Sequence, residues 1–256
     1  GIGPVKRGLN RKLAAKALNA CVDLIALRDP DSKTELEKLG VTRPECHVTA
    51  DPALLQTVTA AAEEHYARYR KEAGLTEGGT YCLFALRPWG PVKHRLEAFA
   101  AAAEYGWNTY GMTPVFFLLE PDKDREITQA VAERISCPKL LLPPVADGGV
   151  ICALMRDMRM VVSMRLHALI FAAGQGVPVV GVSYDPKVSG FMDYLGQANY
   201  VSVEEVTGSA LCQCMDRAAT SGLAEAETVG RLRDLAKQNG DFAWRFLQEA
   251  PEQGLS

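Results

Sequence analysis

At 256 residues the chain exceeds the usual size of one domain, so one large or two smaller domains are expected. Hydrophobic residues make up 48% and charged residues 23%, both ordinary for a globular protein, and a net charge of −3 without a basic stripe gives no footing for nucleic-acid binding. No apolar run approaches the roughly 20 residues needed to cross a bilayer. The opening Gly1-Ile2-Gly3-Pro4 lacks the basic-then-apolar design of a signal peptide and an initiator Met, so it reads as the start of a cut or incomplete product. The seven cysteines (Cys21, Cys46, Cys82, Cys137, Cys152, Cys212 and Cys214) are odd in number and scattered, unlike a disulfide framework. Cys212 and Cys214 are close, but no His or second Cys pair stands near them at zinc-site spacing. Reduced thiols and a cytoplasmic location are the resulting expectations.

Short apolar runs alternate with amphipathic stretches, the pattern of an α/β fold with parallel strands. Asp23 to Arg28 reads as a buried strand. Asp31 and Ser32 are placed to cap a helix from Lys33 to Leu39 that stops at Gly40. Cys46 to Thr49 is a short strand ending in Asp51-Pro52. Residues 57 to 73 form a long charged, Ala-rich helix closed by Gly74, and Gly78-Gly79 reads as a hinge. Strands then follow at Tyr81–Leu86, Pro114–Leu119, Lys139–Leu142, Met160–Ser163 and Pro178–Ser183. Helices separate them at about 92–105, 123–135, 149–158 and 166–173, and another follows at about 188–195. The remainder reads as two helices, roughly 203–219 and 224–248. This divides the chain into 1–56, the carboxy-terminal part of a first Rossmann-like domain; 57–78, a linking helix and hinge; and 79–256, a second Rossmann-like domain of five strands with carboxy-terminal helices. Two such domains facing a cleft, the first incomplete, would be a GT-B-like architecture.

In open α/β sheets, ligands bind beyond the carboxyl ends of the strands. Those ends carry Arg28-Asp29, Asp51-Pro52, Arg87-Pro88-Trp89, Arg165-Leu166-His167 and Tyr184-Asp185-Pro186-Lys187. Four of the five offer a cation, which points to an anionic ligand. Arg165 and His167 stand where a strand turns into a helix, so free backbone N–H groups and the helix dipole share their pocket. An arginine fork binds phosphate or carboxylate bidentately, and an imidazole exchanges protons near neutral pH. The competing reading makes Arg165 a buried side chain tied to backbone carbonyls and His167 a space-filler. Lys187 competes with a solvated loop lysine, Arg87 with a structural ion pair, and Arg28 with a turn contact to Asp31. Asp29 is a candidate general base or a cap, and Asp51 is read as a turn former. Dinucleotide and P-loop fingerprints are absent, as is a nucleophile elbow, and His47, His65 and His94 have no partner at metal spacing.

Taken in order, Gly1-Ile2-Gly3-Pro4, Leu27-Arg28-Asp29 with Ser32, Asp51-Pro52-Ala53, Arg87-Pro88-Trp89, Ser163-Met164-Arg165-Leu166-His167-Ala168 and Tyr184-Asp185-Pro186-Lys187 resemble the polysaccharide pyruvyl transferase family. The likeness is strongest to its bacterial branch acting on secondary cell-wall polysaccharide, a branch tied to cell-wall biogenesis and S-layer anchoring. The family's glycine-rich opening with a G-D-E-A-like motif is absent here, so no acceptor residue is assigned from it. The resemblance implies a GT-B-like fold and a transferase that uses phosphoenolpyruvate as donor substrate, with no cofactor and no metal. The acceptor would be a sugar of a lipid-linked cell-wall glycan precursor, reached in the cytoplasm or at the inner face of the cytoplasmic membrane with at most peripheral membrane contact. Arg165, Lys187, Arg87 and Arg28 would bind the donor, His167 would carry the proton with Arg165 beside it, and Asp29 would be the candidate base. A nucleotide-sugar glycosyltransferase and a non-catalytic sugar- or phosphate-binding module are the alternatives. Oligomeric state stays open.

Overall fold

The computed structural model describes residues 2–3, 5–221 and 226–249. Gly1 and Pro4 of the opening motif, and positions 224–225 of the expected last helix, lie outside them. Two units pack separately: Gly1–Leu55 together with Gly230–Ser256, and Gln56–Val229.

The first unit opens with α1 (Gly8–Cys21), then β1 (Leu24–Leu27), α2 (Pro30–Leu39) and β2 (Glu45–Val48). β1 and β2 pair in parallel, Leu24 opposite Glu45 through Leu27 opposite Val48, with α2 as the crossover that parallel pairing requires. Leu27, Leu36, Leu39 and Val41 form its small core. The cap of α2 is Asp29, whose Oδ1 accepts the Ser32 N–H at 2.7 Å, with Pro30 in the first helical turn. The expected caps do other work: Asp31 lies in the first turn and the Ser32 hydroxyl accepts from the Ile2 N–H at 2.9 Å. The helix ends at Gly40, whose φ of 82° suits glycine. α1 was not expected from the sequence although Leu9, Leu13 and Ala17 recur at helical spacing; none of its residues is fully buried, and Leu18 packs on the small core.

The second unit begins with α3 (Ala60–Glu72) and continues as β3 (Tyr81–Ala85), α4 (Leu96–Tyr110), β4 (Thr113–Phe116), α5 (Pro121–Ala132) and β5 (Leu140–Leu141). It closes with α6 (Gly148–Arg156), β6 (Met160–Ser163), α7 (Leu166–Gly174), β7 (Val179–Ser183), α8 (Pro186–Tyr194), β8 (Tyr200–Ser202) and α9 (Gly208–Ser221). Its sheet runs β5-β4-β3-β6-β7-β8 with every pair parallel, the Rossmann order. β3 and β6 are buried along their whole length because helices cover both faces of a parallel sheet. Phe84, Phe99, Phe116, Met160 and Val162 belong to the core on one of those faces. The sheet has six strands where five were expected, since β8 is a three-residue, half-buried edge that has no apolar run.

Two boundaries differ from the sequence-based division. α3, expected as a linker, belongs to the second unit, where Tyr66 donates to Asp157 at 2.7 Å and Tyr69 to the Pro143 carbonyl at 2.8 Å. The last helix, α10 (Ala226–Glu249), was placed with the second domain, yet from Gly230 on it belongs to the first unit. There Phe242 stacks on His47 at 3.9 Å and the Asn239 amide donates to the Ala50 carbonyl at 3.0 Å. Helical periodicity reports that a face is apolar but not which sheet receives it.

α3 and α6 approach so closely that a Cβ added at Gly149 would lie 2.7 Å from the Ala62 Cβ. Gly149→Ala should therefore destabilise the second unit by about 1–3 kcal/mol despite alanine's better helix propensity. Urea unfolding measures this; an unchanged midpoint would mean that the helix pair has slack.

Candidate functional site

The strand order places a topological switch point between β3 and β6: the chain runs outward one way through β4 and β5 and the other way through β7 and β8. Crevices for ligands open at the carboxyl ends of such a strand pair. Ala85 is level with Ser163, and Ser163 with Gly181, so β3 and β6 end together while β7 runs two residues further. Arg87, Arg165, His167, Tyr184 and Lys187 all follow these three ends.

The Arg165 side chain is tied into the fold by carboxylates. It is 6% exposed, its Nε donates to Asp124 Oδ2 at 3.2 Å, and its two terminal nitrogens bond Asp124 and Glu120. Asp124, in the first turn of α5, is 0% exposed, and its Oδ2 also accepts the Glu120 N–H at 3.0 Å. Two carboxylates answer Arg165, rather than the backbone carbonyls of the competing reading, and a donor anion would have to share the guanidinium with them. Its backbone is fixed too, with the N–H donating to the buried Ser163 Oγ at 2.8 Å. Hydrogen bonding to Lys123, with Arg165 behind it, holds the Glu120 carboxyl below its usual range.

Arg165 is the N-cap residue of α7 and offers no side-chain cap, so the Leu166 and His167 N–H groups have no acceptor among the described residues. His167 projects from this first turn with an exposed side chain, its ring 6.3 Å from Phe171 one turn on.

The structure brings Arg87 and Lys187 together through Tyr184. Arg87 Nη1 donates to the Tyr184 hydroxyl at 2.9 Å, and its Cζ lies 5.0 Å from the ring centre. The Lys187 Nζ lies 5.3 Å from the same centre. No carboxylate pairs with Arg87 among the described residues, and Lys187 meets only Asp185, at 3.8 Å. Asp185 serves Lys187 twice, its Oδ1 accepting the Lys187 N–H at 3.1 Å as the helix cap and its Oδ2 facing the ammonium. Trp89, 40% exposed, leans on Tyr184 with ring centres 5.1 Å apart.

In the first unit, Arg28 donates to Asp51 Oδ2 at 2.8 Å and lies 3.6 Å from Asp29 Oδ2, rather than turning to Asp31, and 25% of its side chain stays exposed. Asp29 has one oxygen on the helix cap and the other near Arg28, so the structure uses it as a cap and counter-charge, not as a free base. Asp51 Oδ1 accepts the Ala53 N–H at 3.1 Å as a turn former. Among the described residues no His/Cys/Asp/Glu group has metal-site geometry.

The family model for polysaccharide pyruvyl transferase matches residues 1–186. The chain belongs to the polysaccharide pyruvyl transferase family. No curated protein matches it. Among solved structures it is similar to the UDP-GlcNAc 2-epimerase of Methanocaldococcus jannaschii, with a TM-score of 0.65 and 12% identity over 87% of this chain and 61% of that one. A UDP-forming trehalose-phosphate synthase from Burkholderia xenovorans gives 0.56 and 15%, over 96% and 66%. A glycosyltransferase from Rickettsia africae gives 0.59 and 10%, over 98% and 70%. The chain thus spans less than two thirds of the epimerase and of the synthase. At these identities the likeness shows the fold, which is α/β and GT-B-like. Which branch of the family this member belongs to is a separate question.

Sequence reasoning missed Asp124 and Glu120, although the Glu120-Pro121-Asp122-Lys123-Asp124 tip after β4 is rich in acids beside cationic neighbours. That contrast was the available signal. Removing Asp124 would bury an unpaired guanidinium, so Asp124→Ala should cost about 3–5 kcal/mol of stability. Arg87→Ala, at a half-exposed side chain with no ion pair, should cost no more than about 1 kcal/mol. Equal losses in unfolding experiments would remove the distinction between the two arginines.

Proposed function

We propose that this chain carries the donor site of an enzyme that transfers a pyruvyl group from phosphoenolpyruvate to a sugar of a cell-wall polysaccharide precursor, forming a pyruvate ketal and releasing phosphate. Family membership supports the reaction class, and one observation carries the site. At the switch point Arg87 and Lys187 both lie against the Tyr184 ring, Arg87 without a carboxylate partner and Lys187 in a 3.8 Å pair with Asp185, and α7 begins there with two N–H groups that lack an acceptor among the described residues. Phosphoenolpyruvate brings a phosphate and a carboxylate, and such a site answers both with charge-assisted bonds.

The chemistry needs a proton delivered to the donor's methylene carbon, which becomes a methyl group. A sugar hydroxyl adds to the neighbouring carbon and loses its own proton. Phosphate then departs with its bonding electrons, and a second hydroxyl closes the ketal and gives up the last proton. His167 is the proposed proton carrier, because its imidazole is exposed at the amino end of α7. Arg87, Lys187 and the two amides would hold the anionic groups and stabilise charge on the leaving phosphate. Arg165 keeps only an indirect part, fixing the turn that bears His167. Arg28 stays a donor-binding candidate through its exposed portion, and Asp29 is released from the role of base.

No helix among the described residues is long and apolar enough to cross a membrane. The cytoplasm, with a lipid-linked precursor as acceptor, is the proposed setting.

Calorimetry on the full chain should find phosphoenolpyruvate bound more tightly than any nucleotide sugar; the reverse order would support the glycosyltransferase reading instead. Lys187→Ala should weaken donor binding about 10- to 100-fold. His167→Ala should lower turnover about 10²–10⁴-fold while donor affinity holds within a few-fold. Near-normal turnover would strip His167 of its role.

A further inference from the structure

We infer that Tyr184 is a positioning residue that holds Arg87 and Lys187 as one receptor, through its hydroxyl to the arginine and through its ring to both. The inference rests on the reading of this site as the donor's anion receptor.

The topology makes Tyr184 a bridge. Arg87 follows β3 and Tyr184 follows β7, and these strands are not neighbours: β6 lies between them. Adjacent strands are about 4.8 Å apart, so a bond between the two tips crosses the end of β6, where α7 and His167 begin. The 2.9 Å contact from Arg87 Nη1 to the Tyr184 hydroxyl makes that crossing. Lys187, in the first turn of the following helix, reaches the same ring at 5.3 Å.

The choice of a tyrosine is what separates positioning from ordinary structural pairing. Two other arginines of this unit are held by carboxylates, Arg165 by Asp124 and Glu120 and Arg156 by Glu63 at 2.6 Å. A carboxylate fixes a guanidinium and cancels its charge. A phenol fixes it and leaves the charge for a ligand, while the negative face of the ring eases the repulsion between two cations brought close. Both cations sit on long side chains rich in rotamers, so ordering them before the ligand arrives raises affinity without adding a contact. Tyr184 is itself held, with its body against the core and Trp89 leaning on it.

The test is a set of four double-mutant cycles on the full chain, with phosphoenolpyruvate titrated by calorimetry. Tyr184→Phe deletes the bond to Arg87 and keeps the ring, so it should weaken binding about 3- to 10-fold. Its effect should shrink below about twofold in an Arg87→Ala background and persist in full in Lys187→Ala. Tyr184→Leu removes the ring as well, so its effect should shrink in both backgrounds. Unaltered melting of Tyr184→Phe shows that the fold is intact; if Tyr184→Leu does not fold, the phenylalanine cycles decide alone. Wild-type affinity in Tyr184→Phe, or effects that multiply independently with Arg87→Ala, would overturn the positioning role and leave the donor site standing. A wild-type chain that binds no phosphoenolpyruvate would overturn both.

Discussion

The buried pair of Arg165 and Asp124 is the contact on which the site depends. A guanidinium 6% exposed must be matched by charge and hydrogen bonds, and Asp124, with Glu120, supplies them from the neighbouring α5. Because pairs of this kind gain little net stability over apolar packing, their use is geometric. Here the geometry is that of the turn from β6 into α7: Ser163 fixes the Arg165 backbone, the ion pair fixes its side chain, and His167 follows two residues on. The same pair divides the cations at the sheet's carboxyl edge into those consumed by the fold and those left over.

What is left over defines the site. Arg87 is arranged by a phenol instead of an acid, so its position and charge are both retained, and Lys187 shares the same ring while keeping a 3.8 Å pair with Asp185. The Rossmann order explains why these residues meet although 97 positions separate Arg87 from Tyr184: β3, β6 and β7 are successive strands at the point where the winding reverses. An anion placed there would meet cations from the ends of β3 and β7 and backbone N–H groups from α7 on the strand between. Membership in the polysaccharide pyruvyl transferase family is shown by the match over residues 1–186, and the donor receptor is proposed on these cations.

Much of this was legible in the sequence, and for identifiable reasons. Fully buried parallel strands read as short apolar runs, which is why Met160–Ser163 was bounded to the residue and why the α/β alternation stood out. β8 was not legible, being three half-buried residues, and α1 was passed over although Leu9, Leu13 and Ala17 are spaced for a helix. The strand-end rule found Arg87, His167 and Lys187 as residues at the ligand side of the sheet. It could not sort Arg165 from Arg87, because what separates them is a partner 41 positions away in the chain for one and a tyrosine 97 positions away for the other. Local sequence shows where a charge stands; only the tertiary fold shows whether it has been answered.

A crystal structure of the full chain with phosphoenolpyruvate bound tests that division of charge most directly. Oxygens of the phosphate or carboxylate should lie about 2.7–3.2 Å from nitrogens of Arg87 and Lys187, with Arg165 still paired to Asp124. A ligand gripped by Arg165, its guanidinium turned away from Asp124 while Arg87 and Lys187 point into solvent, would contradict it.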